Sequence, residues 1–162
     1  MDNNFLKNTK IIPLDEYNKG MRLRLLQKTG WTEKKMNKVI NEYFRFISLI
    51  IVYNKRAIKI EVTPSIDIDK AWHNHMLFTR SYIEFCNKWY GDYIHHQPSY
   101  NKDGSRPGGY NTNFTREENE KVLQNAFIQT RNTYKLFYNE NPPEDIWGSV
   151  GECCSPCNGK QY

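Results

Sequence analysis

The sequence predicts an all-α protein: a compact bundle of about four helices with one long loop and a cysteine-containing C-terminal tail. Three observations carry this expectation. Apolar residues recur at three- and four-residue steps over several long stretches, the signature of helices that bury one face. Residues with cap chemistry stand just ahead of those stretches. The one alternating segment, "AIKIEV" at Ala57–Val62, is a lone strand candidate with no partner to pair with, and is read as an extended connector.

Each element follows in order. A first helix is expected from about Leu14–Asp15 to Lys28, stopped by Thr29-Gly30. Thr32 then caps a second helix, with Glu33 in its first turn. Its apolar positions Met36, Val39, Ile40, Tyr43, Phe44, Phe46, Ile47, Ile50 and Ile51 make it the most buried helix of the chain, ending near Asn54-Lys55. Ser65 caps a third helix that runs through "IDIDKAWHNHMLFTRSYIEFCNKWY" to Gly91. The following "HHQPSYNKDGSRPGGYNTN" is rich in Gly, Pro, Asn and Ser and reads as a long loop. "TREE" forms a capping box from Thr115 to Glu118 at the head of a fourth helix, whose stripe is Val122, Leu123, Ala126, Phe127, Thr130, Thr133, Tyr134, Phe137 and Tyr138. "NENPP" stops it, and a tail with one aromatic anchor, Trp147, follows. Residues 1–147 are expected to form one helical domain and 148–162 the tail.

Composition excludes several classes. The 162 residues fit one domain. No apolar run reaches the roughly 18 residues that a membrane helix requires. The start "MDNNFLKNTK" lacks the pattern of a secretory signal, so a cytoplasmic, reducing compartment is expected. The net charge of +5 is mild and dispersed, so no specific nucleic-acid surface is expected and no membrane partner. Another protein is the partner class left open.

The four histidines come in two pairs, His73/His75 in "WHNH" and His95/His96 in "YIHHQP". With about 100° per helical residue, His75 sits amid Ile68, Ala71, Phe78, Thr79, Tyr82, Cys86 and Trp89, while His73 lies about 160° away. One ion therefore cannot be held by both from a regular helix, and His75 reads as a core histidine. Asp69 precedes His73 by four residues and shares its face, the spacing at which a carboxylate orients an imidazole. His95 and His96 follow the helix. An unbroken helix would rise about 21 Å from His75 to Trp89, and the chain from there to His95 returns at most about 20 Å. The two pairs meet only if the helix breaks early or the loop doubles back.

Cys86 lies inside the helical pattern, whereas Cys153, Cys154 and Cys157 crowd the tail. Cys154 and Cys157 form a C-x-x-C, which closes a disulfide or supplies two of four zinc ligands. The expected metal ligands are His73, His95, His96, Cys153, Cys154 and Cys157, with zinc as the ion. Asp69, Trp72, His75 and Cys86 are expected to support or pack around them.

Asp69, Trp72, His73, His75, Tyr82, Cys86, Gly91 and His96 together resemble the pattern of the glycine-rich domain-containing protein-like (GRDP-like) family. The pairing of "HHQP" with a later helix, Trp147 and the tail cysteines is similar to its bacterial-type members. The resemblance covers about Thr32 to Cys157. Plant members carry glycine-rich tails and RNA-recognition-like segments. This chain has only 9 glycines and neither extension, so the resemblance implies no RNA-linked role here.

Three functions are therefore weighed: a small soluble metal-binding helical protein, an interaction module whose Trp-His-x-His helix is structural core, and a hydrolase using an Asp69–His73 acid–base pair. No nucleophile at a telling spacing and no phosphate-cradling glycine loop support the third.

Overall fold

The computed structural model describes residues 12–55, 62–96 and 115–151. Within them the regular elements are all helical. A single 3-10 turn, Leu14–Glu16, is followed by α1 (Lys19–Thr29), α2 (Glu33–Lys55), α3 (Ile66–Met76), α4 (Thr79–Trp89), α5 (Arg116–Tyr138) and the short α6 (Glu144–Trp147). The connector at 56–61, the long loop at 97–114 and the cysteine tail at 152–162 lie outside the described residues. No described helix is long and apolar enough to cross a membrane.

α2 is the axis of the molecule. Val39, Ile40, Tyr43, Phe46, Ile47 and Leu49 are fully buried along it, more than half of its circumference, because other helices pack on several sides. Phe46 meets Trp72 of α3 edge-on at 5.6 Å and Trp147 of α6 at 6.2 Å. Phe44 stacks on Phe85 of α4 at 5.7 Å. Large aromatic rings therefore make the joints, each burying far more apolar area than an aliphatic side chain.

The expected first helix is shorter than its pattern. The chain makes the 3-10 turn, then restarts at Asn18, which is extended and accepts a hydrogen bond from the Met21 amide at 3.1 Å. The break lets Tyr17 swing inward, where its hydroxyl donates to the Ala71 carbonyl at 2.9 Å. An unbroken helix would have kept Tyr17 in register with the α1 surface. Gly30 ends α1 in the left-handed region at φ 68°, where a side chain would add strain.

The expected third helix is in fact two. Ser65 caps α3 by accepting from the Ile68 amide, but Phe78 leaves helical geometry at φ −89°, ψ 62°, and its amide bonds the His75 carbonyl in a tight turn. The physical reason is burial. His75 and Phe85 would lie about 15 Å apart on one straight helix; the turn brings their rings to 4.9 Å. α4 thereby folds over a histidine that an unbroken helix would leave half covered. Gly91, at φ 88°, then reverses the chain, so that residues 93–96 run back alongside α3.

α5 carries the capping box in full: Thr115 and Glu118 bond each other's backbone amides. Trp147 is fully buried. Its indole N–H donates to the Glu42 carboxylate at 2.9 Å. Beyond it, Val150 bridges Ser65, the Ile66 amide bonds the Ser149 carbonyl, and the Gly151 amide bonds the Pro64 carbonyl. The last described residues are thus stitched to the head of α3.

Candidate metal centre

α3 divides its side chains between two environments. Ile68, Ala71, Trp72 and His75 face α2 and are fully buried. His73 turns outward, with its side chain 46% exposed, as a two-residue step on a helix requires. Asp69 lies one turn before His73, its side chain 10% exposed.

The returning segment completes the group. Residues 93–96 are extended, so alternate side chains face opposite ways. Ile94 enters the core, and His96 lands against α3 with its side chain only 1% exposed. His96 Nε2 is 2.8 Å from Asp69 Oδ1, and His73 Nδ1 is 3.6 Å from Asp69 Oδ2. The two imidazoles stack at 4.6 Å with 30° between their planes. One ligand atom from each of Asp69, His73 and His96 lies within 4.8 Å of the other two. Trp72 closes the inner side, its ring 4.2 Å from that of His96.

Burial is the main influence lowering the His73 pKa below its ordinary value; the Asp69 carboxylate opposes it, and His96 adds to it. A neutral imidazole is the form that binds a metal, and zinc takes nitrogen and carboxylate ligands at about 2.0–2.2 Å.

His75 stands apart. It is fully buried, its Nδ1 paired with the Tyr43 hydroxyl at 2.9 Å, while its Nε2 has no hydrogen-bond partner among the described residues. The rings of Tyr17, Tyr82 and Phe85 surround it at 5.5, 5.1 and 4.9 Å. Burial pushes its pKa down to about 4, so it is a neutral core residue at physiological pH. His95 is exposed and packs its ring on Tyr93 at 4.7 Å, pointing away from Asp69 along the alternating segment. Cys86 is fully buried, with its thiol pKa raised by desolvation.

Of the expected ligands, His73 and His96 come together and His95 does not join them. Cys153, Cys154 and Cys157 lie outside the described residues. The chain leading to them, however, passes the site: a Cβ placed on Gly151 would lie 3.3 Å from the Asp69 Cβ. Asp69 was expected to orient a histidine and instead offers its carboxylate oxygens alongside both. The readable signal for it was the four-residue spacing to His73; its contact with His96 depends on the turn at Phe78 and the reversal at Gly91.

Comparison with known proteins supplies the lineage. Over 80 residues the chain is 30% identical to "Glycine-rich domain-containing protein 2" of Arabidopsis thaliana, a match covering 49% of this chain and 10% of that protein. The chain thus spans about a tenth of the length of the curated relative it matches. No solved structure matches it. The UCP032817-like family model matches residues 7–126, which takes in Asp69, His73 and His96 and stops before the tail cysteines. The chain belongs to the UCP032817-like family, and its relationships are GRDP-like.

Proposed function

We propose that the protein binds a divalent transition-metal ion, zinc by preference, through Asp69, His73 and His96. The observation that carries this reading is the convergence of three ligand atoms within 4.8 Å, drawn from two segments of the chain. Three protein ligands leave at least one further coordination position. On this reading Cys153, Cys154 or Cys157 fills it with a thiolate. Gly151 beside Asp69 supports that assignment, since Cys153 and Cys154 follow within about 7–10 Å of extended chain. Thiolate ligands select soft and borderline metals, which favours zinc over magnesium or calcium.

The test is elemental analysis of untagged protein, followed by cobalt(II) substitution. One equivalent of metal, lost in His73→Gln and His96→Gln variants that still fold, is the expected result. A thiolate charge-transfer band in the cobalt form, removed by Cys154→Ser, assigns the tail. Metal-free protein that gains no stability from added zinc would overturn the reading.

A second reading has its own support. Trp72 and His75 are wholly buried core residues, which fits an interaction module in which the Trp-His-x-His helix defines the fold and performs no chemistry. That module would keep its full stability in chelator.

A further inference from the structure

The two histidines of the candidate centre reach it from segments that share no secondary structure. His73 belongs to α3, and His96 follows the turn at Gly91. One side chain from a third position joins them. The Trp72 indole N–H donates to the Tyr82 hydroxyl at 2.8 Å, and the Tyr82 hydroxyl donates to the Ile94 carbonyl at 2.6 Å. Indole is only a donor and a carbonyl only an acceptor, so the direction of this chain is fixed. Trp72 adjoins His73 and packs its ring against His96 at 4.2 Å, and Ile94 lies two residues before His96. Both bonds are buried, where a lost partner costs most.

We propose that Tyr82 is the positioning residue of the metal centre: its hydroxyl hangs the His96-bearing segment on Trp72 and so fixes the distance between the two imidazoles. This inference rests on the metal-binding reading above. The phenol suits the task for two reasons. Burial holds its pKa well above the ordinary value, so it remains a donor. Its ring is independently anchored, at 5.1 Å from His75 and stacked on Phe85 at 6.4 Å, so the hydroxyl is presented at a fixed point. Groups that orient metal ligands from behind typically change metal affinity 10- to 100-fold when removed.

The experiment measures zinc affinity by competition with a chromophoric chelator, and cobalt(II) absorption, for the wild type and three variants. Tyr82→Phe deletes only the hydroxyl. It should weaken zinc binding about 10- to 100-fold and alter the cobalt d–d bands, while the protein still melts cooperatively. Tyr134→Phe removes a hydroxyl that serves Arg45 on another side of the bundle and should leave affinity unchanged. His73→Gln removes a ligand and should abolish tight binding. Wild-type affinity and spectrum in Tyr82→Phe, with binding lost in His73→Gln, would overturn the positioning role and leave the metal site standing. No saturable binding by the wild type would overturn both. Should Tyr82→Phe fail to fold, the wild type carries the same test, because coupling is reciprocal. Stoichiometric zinc should then slow solvent exchange of the Tyr82 hydroxyl and Trp72 indole protons in NMR spectra, and unchanged exchange would overturn the proposal.

Discussion

Acidification should unfold this protein partly through one residue, His75. In the folded state burial lowers its pKa from 6.5 to about 4; in the unfolded chain it titrates at its ordinary value. Between those limits the unfolded state binds the additional proton, so stability falls as pH drops from about 6.5 towards 4 and is unaffected above that window. The difference corresponds to about 3 kcal/mol at 1.36 kcal/mol for each pH unit. Among the described residues, no carboxylate offsets it. The titratable groups facing the ring are the phenols of Tyr17, Tyr43 and Tyr82, all with pKa values raised by burial and hence neutral here. The assay is urea unfolding at a series of pH values from 7.5 to 4.5, for the wild type and His75→Gln. Glutamine keeps a partner for the Tyr43 hydroxyl and carries no titratable group. Other groups contribute equally to both proteins and cancel in the difference. The stability gap between the two should therefore shift by about 2–3 kcal/mol in favour of the variant across the window. Parallel pH profiles would refute the reasoning.

Three further outcomes are expected. Saturating zinc at about 100 times Kd should add about 2.7 kcal/mol to stability, a rise in melting temperature of about 5–10 °C for a domain of this size, reversed by chelator and absent in His96→Gln. Glu42→Ala removes the acceptor of the Trp147 indole and an ion-pair partner of Arg45, 3.3 Å away. It should cost about 2–4 kcal/mol in denaturant unfolding, with most of the loss from the stranded indole N–H and the cavity. Asn74→Ala breaks the bonds from its amide to the Tyr17 hydroxyl and the Met21 carbonyl and strands Arg24. The expected loss is about 2–3 kcal/mol, with α1 amides exchanging faster than those of α2.

The parts of the fold legible in the sequence are those that local chemistry decides. Thr115 and Glu118 cap α5 through bonds within four residues, and the α2 pattern carries its own period. Phe78 is different. Neither glycine nor proline marks the turn, and Leu77 and Phe78 both suit a helix. The chain breaks there because α4 gains more by closing over His75 and α2 than by continuing, a balance that periodicity in a single segment does not express. Asn18 is similar: it carries cap chemistry, but its use depends on where Tyr17 is buried. The site follows the same division. Asp69 and His73 were readable as a pair at helical spacing. The approach of His96 to Asp69 required the break, the reversal at Gly91 and the Tyr82 bond to Ile94, none of which is local. The short α6 was missed because four residues give too little pattern, and its stability comes from Trp147 packing against Phe46, Phe127 and Tyr134.

The seam between Ser65 and Val150 has a consequence for concentration. Because Gly151 is hydrogen-bonded to Pro64 and lies against Asp69, a group carried a few residues later would, on the metal-binding proposal, be a tethered neighbour of the centre. Short flexible tethers give effective concentrations of millimolar order. A thiol of modest intrinsic affinity, carried at that point, would meet a bound ion far more often than any free cellular thiol at micromolar abundance. Cutting the chain after Gly151 would keep the seam to Pro64 and remove that advantage.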